Sequence, residues 1–76
     1  MMFKVYGIPF CPFCDNAKRL LDHKNVAYVY KDVTKNEEDK KFVDDKSVSK
    51  TFPQIFNDAG EFIGGFTELK DYLKAS

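Results

Sequence analysis

The sequence predicts an α/β fold: one four-stranded mixed sheet flanked by three helices, in the order β-α-β-α-β-β-α. Three observations carry this. Short runs rich in β-branched and aromatic residues alternate with runs whose apolar residues recur at helical spacing, as in a strand–helix–strand crossover. Two short apolar runs flank Asp58-Ala59-Gly60, a turn tripeptide, which makes a hairpin near the C-terminus. The chain has 76 residues, enough for one small domain over 1–76 and too few for two.

Residues 2–6 (MFKVY) form the first predicted strand. They are apolar on both faces apart from Lys4, as a central strand would be. Gly7, Pro9 and Pro12 end it. From Pro12 the period changes: Phe13, Ala17, Leu20 and Leu21 share one helical face, and Lys18, Arg19 and Asp22 take the other. Pro12 suits the first turn, where a missing N–H costs nothing, and Asn25 is the expected stop. Residues 26–31 (VAYVYK) are the second strand. The first β-α-β unit should be a right-handed parallel crossover. Thr34-Lys35-Asn36-Glu37 fits a capping box, so a second helix is predicted over 35–46 with Thr34 as its N-cap. Its only large apolar residues are Phe42 and Val43, so it should pack thinly. Residues 54–57 and 61–63 are the hairpin strands, and Gly64-Gly65 ends the second. Leu69, Tyr72 and Leu73 mark a last amphipathic helix, with Thr67 as its expected N-cap.

Twelve Lys and Arg balance 12 Asp and Glu. A neutral chain has no electrostatic footprint for nucleic acid or an anionic membrane surface, so neither is an expected partner. No apolar run approaches the ~20 residues of a membrane span. The first ten residues carry one base, Lys4, and no small-residue cleavage site follows, so the expected address is a reducing cytoplasm. Two cysteines are too few for a disulfide-built scaffold.

Those two cysteines lie in Phe10-Cys11-Pro12-Phe13-Cys14, between the first strand and the first helix. A structural disulfide closing so short a loop would add only about 2 kcal/mol, against ~4.7 for a 100-residue loop. Zinc wants four ligands, and the one histidine, His23, lies nine residues beyond Cys14 on the same helix, roughly 13 Å away. No metal site is expected, and His23 reads as a surface residue near a helix end. Two ordinary buried cysteines are the remaining bland alternative. The redox reading of C-x-x-C after a β-α-β start has a mechanism. A helix dipole favours a thiolate at the N-terminus by up to ~2 kcal/mol, and the unpaired N–H groups of the first turn add hydrogen bonds. Cys11 stands at the expected N-cap, where those groups point. Cys14 is one turn inside and should be less exposed. Cys11 is therefore the expected nucleophile and Cys14 the resolving thiol. Asp15 favours the helix N-terminus but opposes a thiolate at Cys11, so it is given no catalytic role.

Three blocks, Cys11-Pro12-Phe13-Cys14, Thr51-Phe52-Pro53-Gln54 and Gly64-Gly65-Phe66-Thr67-Glu68, together resemble the glutaredoxin branch of the thioredoxin superfamily, across essentially the whole chain. The opening 2–7 (MFKVYG) and the run 14–21 (CDNAKRLL) are most similar to the small glutaredoxins of T-even-type bacteriophages. The resemblance implies a thioredoxin-like fold and glutathione as co-substrate, with no tightly bound cofactor. It matches Pro53 to the family's cis-proline, a trans proline at a strand start being the alternative. The backbone of Phe52 would then pair, strand-like, with the cysteinyl part of glutathione, with Thr51 beside it. Gly64 and Gly65 would allow close backbone approach. Phe66, Thr67 and Glu68 fall in the block that holds the γ-glutamyl end at a helix N-terminus, although Thr67 is equally an N-cap. Phe13 would wall the mixed disulfide. Phe13 replaces the family's usual Tyr, Phe52 its usual Val, and Glu68 an Asp of several members. Ile8 stands where many members carry Lys or Arg, and an exposed ion pair there is worth only ~0–1 kcal/mol. Lys50 and Lys18 are the candidate substitutes.

The reading that follows is a glutathione-dependent thiol–disulfide oxidoreductase, expected to be a monomer, with ribonucleotide reductase among its protein substrates as in the phage-like members. A phage-encoded copy would work in the host cytoplasm. Two competitors differ in electron source or chemistry: a redoxin of the same fold fed by thioredoxin reductase, and an iron–sulfur carrier bridging a cluster between two Cys11 residues.

Overall fold

The computed structural model describes residues 2–46 and 52–75. Its elements are β1 (Phe3–Gly7), α1 (Pro12–His23), β2 (Tyr28–Asp32), α2 (Glu37–Lys46), β3 (Gln54–Phe56), β4 (Phe62–Gly64) and α3 (Phe66–Ala75). The four strands make one sheet in the order β2-β1-β3-β4. β1 pairs parallel with β2 and antiparallel with β3, and β3 pairs antiparallel with β4. The mixed sheet and the element order are those the sequence predicts.

Period-2 alternation divides the core in two. Val5 and Ile55 are neighbours across the β1–β3 ladder, as are Lys4 and Phe56. Val5 and Ile55 point to one face, where they pack with Ala17 and Leu21 of α1 and Leu69 of α3. Tyr6 and Phe56 point to the other, where they meet Val33 and Val43. Phe42 of α2 stacks on Tyr6 at 5.3 Å between ring centroids and lies 5.3 Å from Phe56. Phe42 and Val43 are thus the apolar anchors of α2, both packing in the cluster around Tyr6 and Phe56, and Asp39 adds an ion pair to Lys31 of β2 at 3.8 Å.

Element ends differ from expectation for local reasons. α1 closes with Asn25 at φ 58 and the Val26 N–H bonded to the Leu21 carbonyl, a left-handed exit that asparagine tolerates. Val26 belongs to that exit and Ala27 only approaches the sheet, its carbonyl accepting the Phe3 N–H at 3.1 Å, so β2 begins at Tyr28. The second helix starts at Glu37 and its cap is Asn36, not Thr34. The Asn36 Oδ1 accepts the N–H groups of Glu38 and Asp39 at 2.9 and 3.2 Å. Thr34 is engaged elsewhere, its N–H and hydroxyl both donating to Asp32 Oδ1 at 2.9 and 2.6 Å. In the hairpin, the buried Asn57 accepts from the Ala59 and Glu61 N–H groups through Oδ1. Glu61 therefore closes the turn and β4 starts one residue later. α3 begins at Phe66, so Thr67 lies inside its first turn and is not the cap. The Gly65 N–H donates to Glu68 Oε1 at 2.7 Å, the reciprocal half of a capping box. His23 is exposed in the last turn of α1, as expected. Among the described residues no helix is long and apolar enough to cross a membrane.

Candidate active site

β1 ends against the start of α1, and this junction sets up the cysteines. Cys11 is the N-cap of α1, in extended backbone at φ −113 and ψ 102. Its Sγ accepts the Cys14 N–H at 3.2 Å, so the sulfur takes one of the helix's unpaired donors, as a capping oxygen does. Cys11 Sγ also lies 3.7 Å from the Phe52 carbonyl oxygen. The Phe52–Pro53 peptide bond is cis. Cys11 is half-buried; Cys14 is 1% exposed. Both are free thiols.

Burial pushes the Cys14 thiol up to about 12, and its hydrogen bond to Cys11 and the charge there push the same way. Two groups oppose this rise, the backbone at Ile8 and the Tyr30 side chain. Tyr30 was legible in the sequence only as a strand residue. Its hydroxyl and the Cys14 Sγ crowd the same point beside Gly7. The Lys18 ammonium sits 4.1 Å above the Tyr30 ring centroid. Burial, then Cys14, push the Tyr30 phenol up to about 12, so it keeps its proton and is a donor. Asp15 pairs with Lys18 at 3.5 Å.

A shallow cleft of about 420 Å³ adjoins the cysteines, lined by Phe13, Phe52, Gly65, Phe66, Thr67 and Glu68. Six residues drawn from three separate sequence blocks are thereby brought together. The Phe13 and Phe66 rings lie 6.3 Å apart. Phe13 is 59% exposed. Pro53 is buried behind the cleft, and its carbonyl approaches the place a Gly65 Cβ would occupy, at 3.4 Å. Gly64 has φ +130, and a Cβ there would fall 2.7 Å from Glu68 Cγ, so this turn needs glycine twice over. Thr51 and Lys50 lie outside the described residues.

Ile8 does not face the cleft. It lines a larger groove of about 570 Å³ with Val33, Lys35, Lys40, Val43 and Phe52, and packs on the Tyr6 side of the sheet. Lys18, one of the suggested substitutes for a base at position 8, is engaged by Asp15 and Tyr30. The described residues hold no group of three or more His, Cys, Asp or Glu side chains placed to bind a metal.

The glutaredoxin family model matches residues 3–63. The glutaredoxin of Enterobacteria phage T4 is 37% identical over 87 aligned positions, covering 96% of this chain and 100% of that one. Glutaredoxin 1 of Rickettsia conorii is 44% identical over 72 positions, covering 92% of this chain and 70% of its own length. The crystal structure of glutaredoxin 1 from Francisella tularensis superposes with a TM-score of 0.79 at 34% identity, covering 97% and 93% of the two chains. A cysteine capping a helix beside a cis-proline loop, on a four-stranded mixed sheet, agrees with these likenesses, and the chain belongs to the glutaredoxin family of thiol–disulfide oxidoreductases.

Proposed function

We propose that the chain is a dithiol glutaredoxin that draws its electrons from glutathione, with Cys11 as nucleophile and Cys14 as resolving thiol. The carrying observation is the Cys11 sulfur at the N-terminus of α1, taking the Cys14 N–H and facing the Phe52 carbonyl beside Pro53. The Cys11 thiolate attacks one sulfur of a substrate disulfide. The S–S bond breaks, the other sulfur leaves with the electron pair and takes a proton, and a mixed disulfide remains on Cys11. The Cys14 thiolate then attacks the Cys11 sulfur. A Cys11–Cys14 disulfide forms and the second substrate thiol departs. One glutathione thiolate attacks Cys11 and frees Cys14; a second takes the first away as oxidised glutathione. One substrate disulfide is reduced and two glutathiones are oxidised.

In this reading the cleft holds glutathione. Phe52, Pro53 and Thr51 would meet its cysteinyl backbone, Phe13 and Phe66 would wall it, and Gly65, Thr67 and Glu68 would meet its γ-glutamyl end at the start of α3. The enzyme needs no tightly bound cofactor. Ribonucleotide reductase is the proposed protein substrate, and a monomer in a reducing cytoplasm the proposed working form. The test supplies NADPH with glutathione and its reductase, or with thioredoxin reductase, and follows disulfide reduction. Turnover with the glutathione system is expected. Turnover only with thioredoxin reductase would overturn this reading and favour the redoxin fed by that reductase. A Cys14→Ser protein should still deglutathionylate small mixed disulfides.

A further inference from the structure

Phe10, the residue before Cys11, does nothing for the fold. Its side chain is 104% exposed, so it touches no core, and its backbone sits at φ 59. That left-handed region is unfavourable for a bulky residue. A glycine would fit the same turn better and would remove an exposed ring. Both costs fall at one position, directly beside the proposed nucleophile, with consecutive Cα atoms only ~3.8 Å apart. Phe13, two residues after Cys11, is also mostly exposed and touches Phe66. Isolated exposed apolar residues are commonplace, but here two of the four exposed large apolar side chains among the described residues bracket one sulfur. Residues held in uncommon backbone conformations gather at functional sites.

We propose that Phe10 is a specificity residue for protein substrates, receiving an aromatic or large aliphatic side chain next to the substrate's disulfide cysteine. The occupant follows from geometry: any polypeptide that brings its sulfur to Cys11 must lie against the residues flanking Cys11. The surface offered there is aromatic and uncharged, so the matching chemistry is apolar. Glutathione carries no such side chain, so Phe10 separates protein substrates from glutathione mixed disulfides. The inference rests on the dithiol reading above.

The test compares two synthetic peptide disulfides that differ only at the residue before the cysteine, Phe in one and Ser in the other. Wild type should favour the Phe peptide in kcat/KM by about five- to tenfold, the value of one aromatic contact. In Phe10→Gly the ratio should fall to about one, while Tm stays level or rises because the left-handed turn is relieved. Phe10→Asn, which tolerates the same backbone, should behave alike and guards against a glycine-specific loosening. An undiminished ratio in either folded variant, or no preference in wild type, would overturn the proposal. Absence of turnover of both peptides by wild type with glutathione would instead overturn the reading on which it rests.

Discussion

Replacing Gly7 by Ala puts a methyl group into the packing behind the cysteines. A Cβ at Gly7 would collide with the Tyr30 hydroxyl and lie 2.9 Å from both Tyr30 Cζ and Cys14 Sγ. Backbone freedom is not the issue, because Gly7 is outside the left-handed region. The question is what gives way. Tyr30 is pinned by the Lys18 ammonium above its ring and by the core beneath it. Cys14 is buried on the first turn of α1. Overpacking of this kind costs about 1–3 kcal/mol, and the stiffer unfolded chain returns about 0.4–1 of that. A net loss near ~1–2 kcal/mol lowers Tm of a domain this size by about 4–16 °C. Thermal unfolding of the reduced protein, followed by circular dichroism, reads it. In a Tyr30→Phe background the hydroxyl collision is gone and the Gly7→Ala penalty should shrink, by an interaction energy of about 0.5 kcal/mol or more. An unchanged Tm, or the same drop in both backgrounds, would refute the contact geometry.

Leu21 is 0% exposed between sheet and helix; Leu21→Ala should cost about 2–5 kcal/mol, a large share of the ~4–11 kcal/mol available to a chain of this length, and a urea midpoint near wild type would contradict it. Asn36→Ala should cost about 1 kcal/mol through loss of the α2 cap, and more than Thr34→Ala; the reverse order in urea unfolding would restore Thr34 as the cap. Stability of the reduced protein should fall as pH rises from about 9, the ordinary thiol value, toward about 12. The folded state keeps the Cys14 and Tyr30 protons that the unfolded chain gives up, so folding binds protons and alkali opposes it. The fall should be shallower in Cys14→Ser, and a stability that rises over this range would show the burial argument to be wrong.

What the sequence made legible was whatever rests on periodicity and spacing. Runs of β-branched and aromatic residues and the apolar stripe of α1 carried the mixed sheet and the order of elements along the chain, but not the strand order within the sheet. The Cys11–Cys14 spacing carried the capping sulfur, because a helix beginning at Pro12 leaves only residue 11 for the cap. Competition among neighbours was less legible. Thr34 and Asn36 are both good caps by type, and Asp32 decided between them by taking Thr34's N–H and hydroxyl. Thr67 lost the α3 cap because Glu68 reaches back to Gly65. Tyr30 could not be tied to Cys14 from sequence at all. That contact depends on β1–β2 register, which sets Val5 opposite Tyr30 and leaves Gly7 without a side chain beside the sulfur.

The environment of Cys14 changes when Cys11 is occupied, and this gives the order of the two exchanges a physical basis. In the reduced protein three influences hold the Cys14 proton: burial first, then the hydrogen bond to Cys11, then the negative charge of the Cys11 sulfur. A mixed disulfide at Cys11 removes the charge and weakens the acceptor. Burial then stands against the Ile8 backbone and the Tyr30 phenol, both of which favour the thiolate. On the proposed mechanism, occupying Cys11 makes Cys14 easier to ionise, with burial still the largest influence against it. A Cys11→Ala protein imitates the loss of both Cys11 influences. Its Cys14 should titrate below about 12, the value with Cys11 present, by thiolate absorbance or by alkylation rate against pH. Adding Tyr30→Phe should move it back up. A Cys14 that titrates no lower in Cys11→Ala than in the parent would leave the resolving step without this trigger, and burial alone would then govern it.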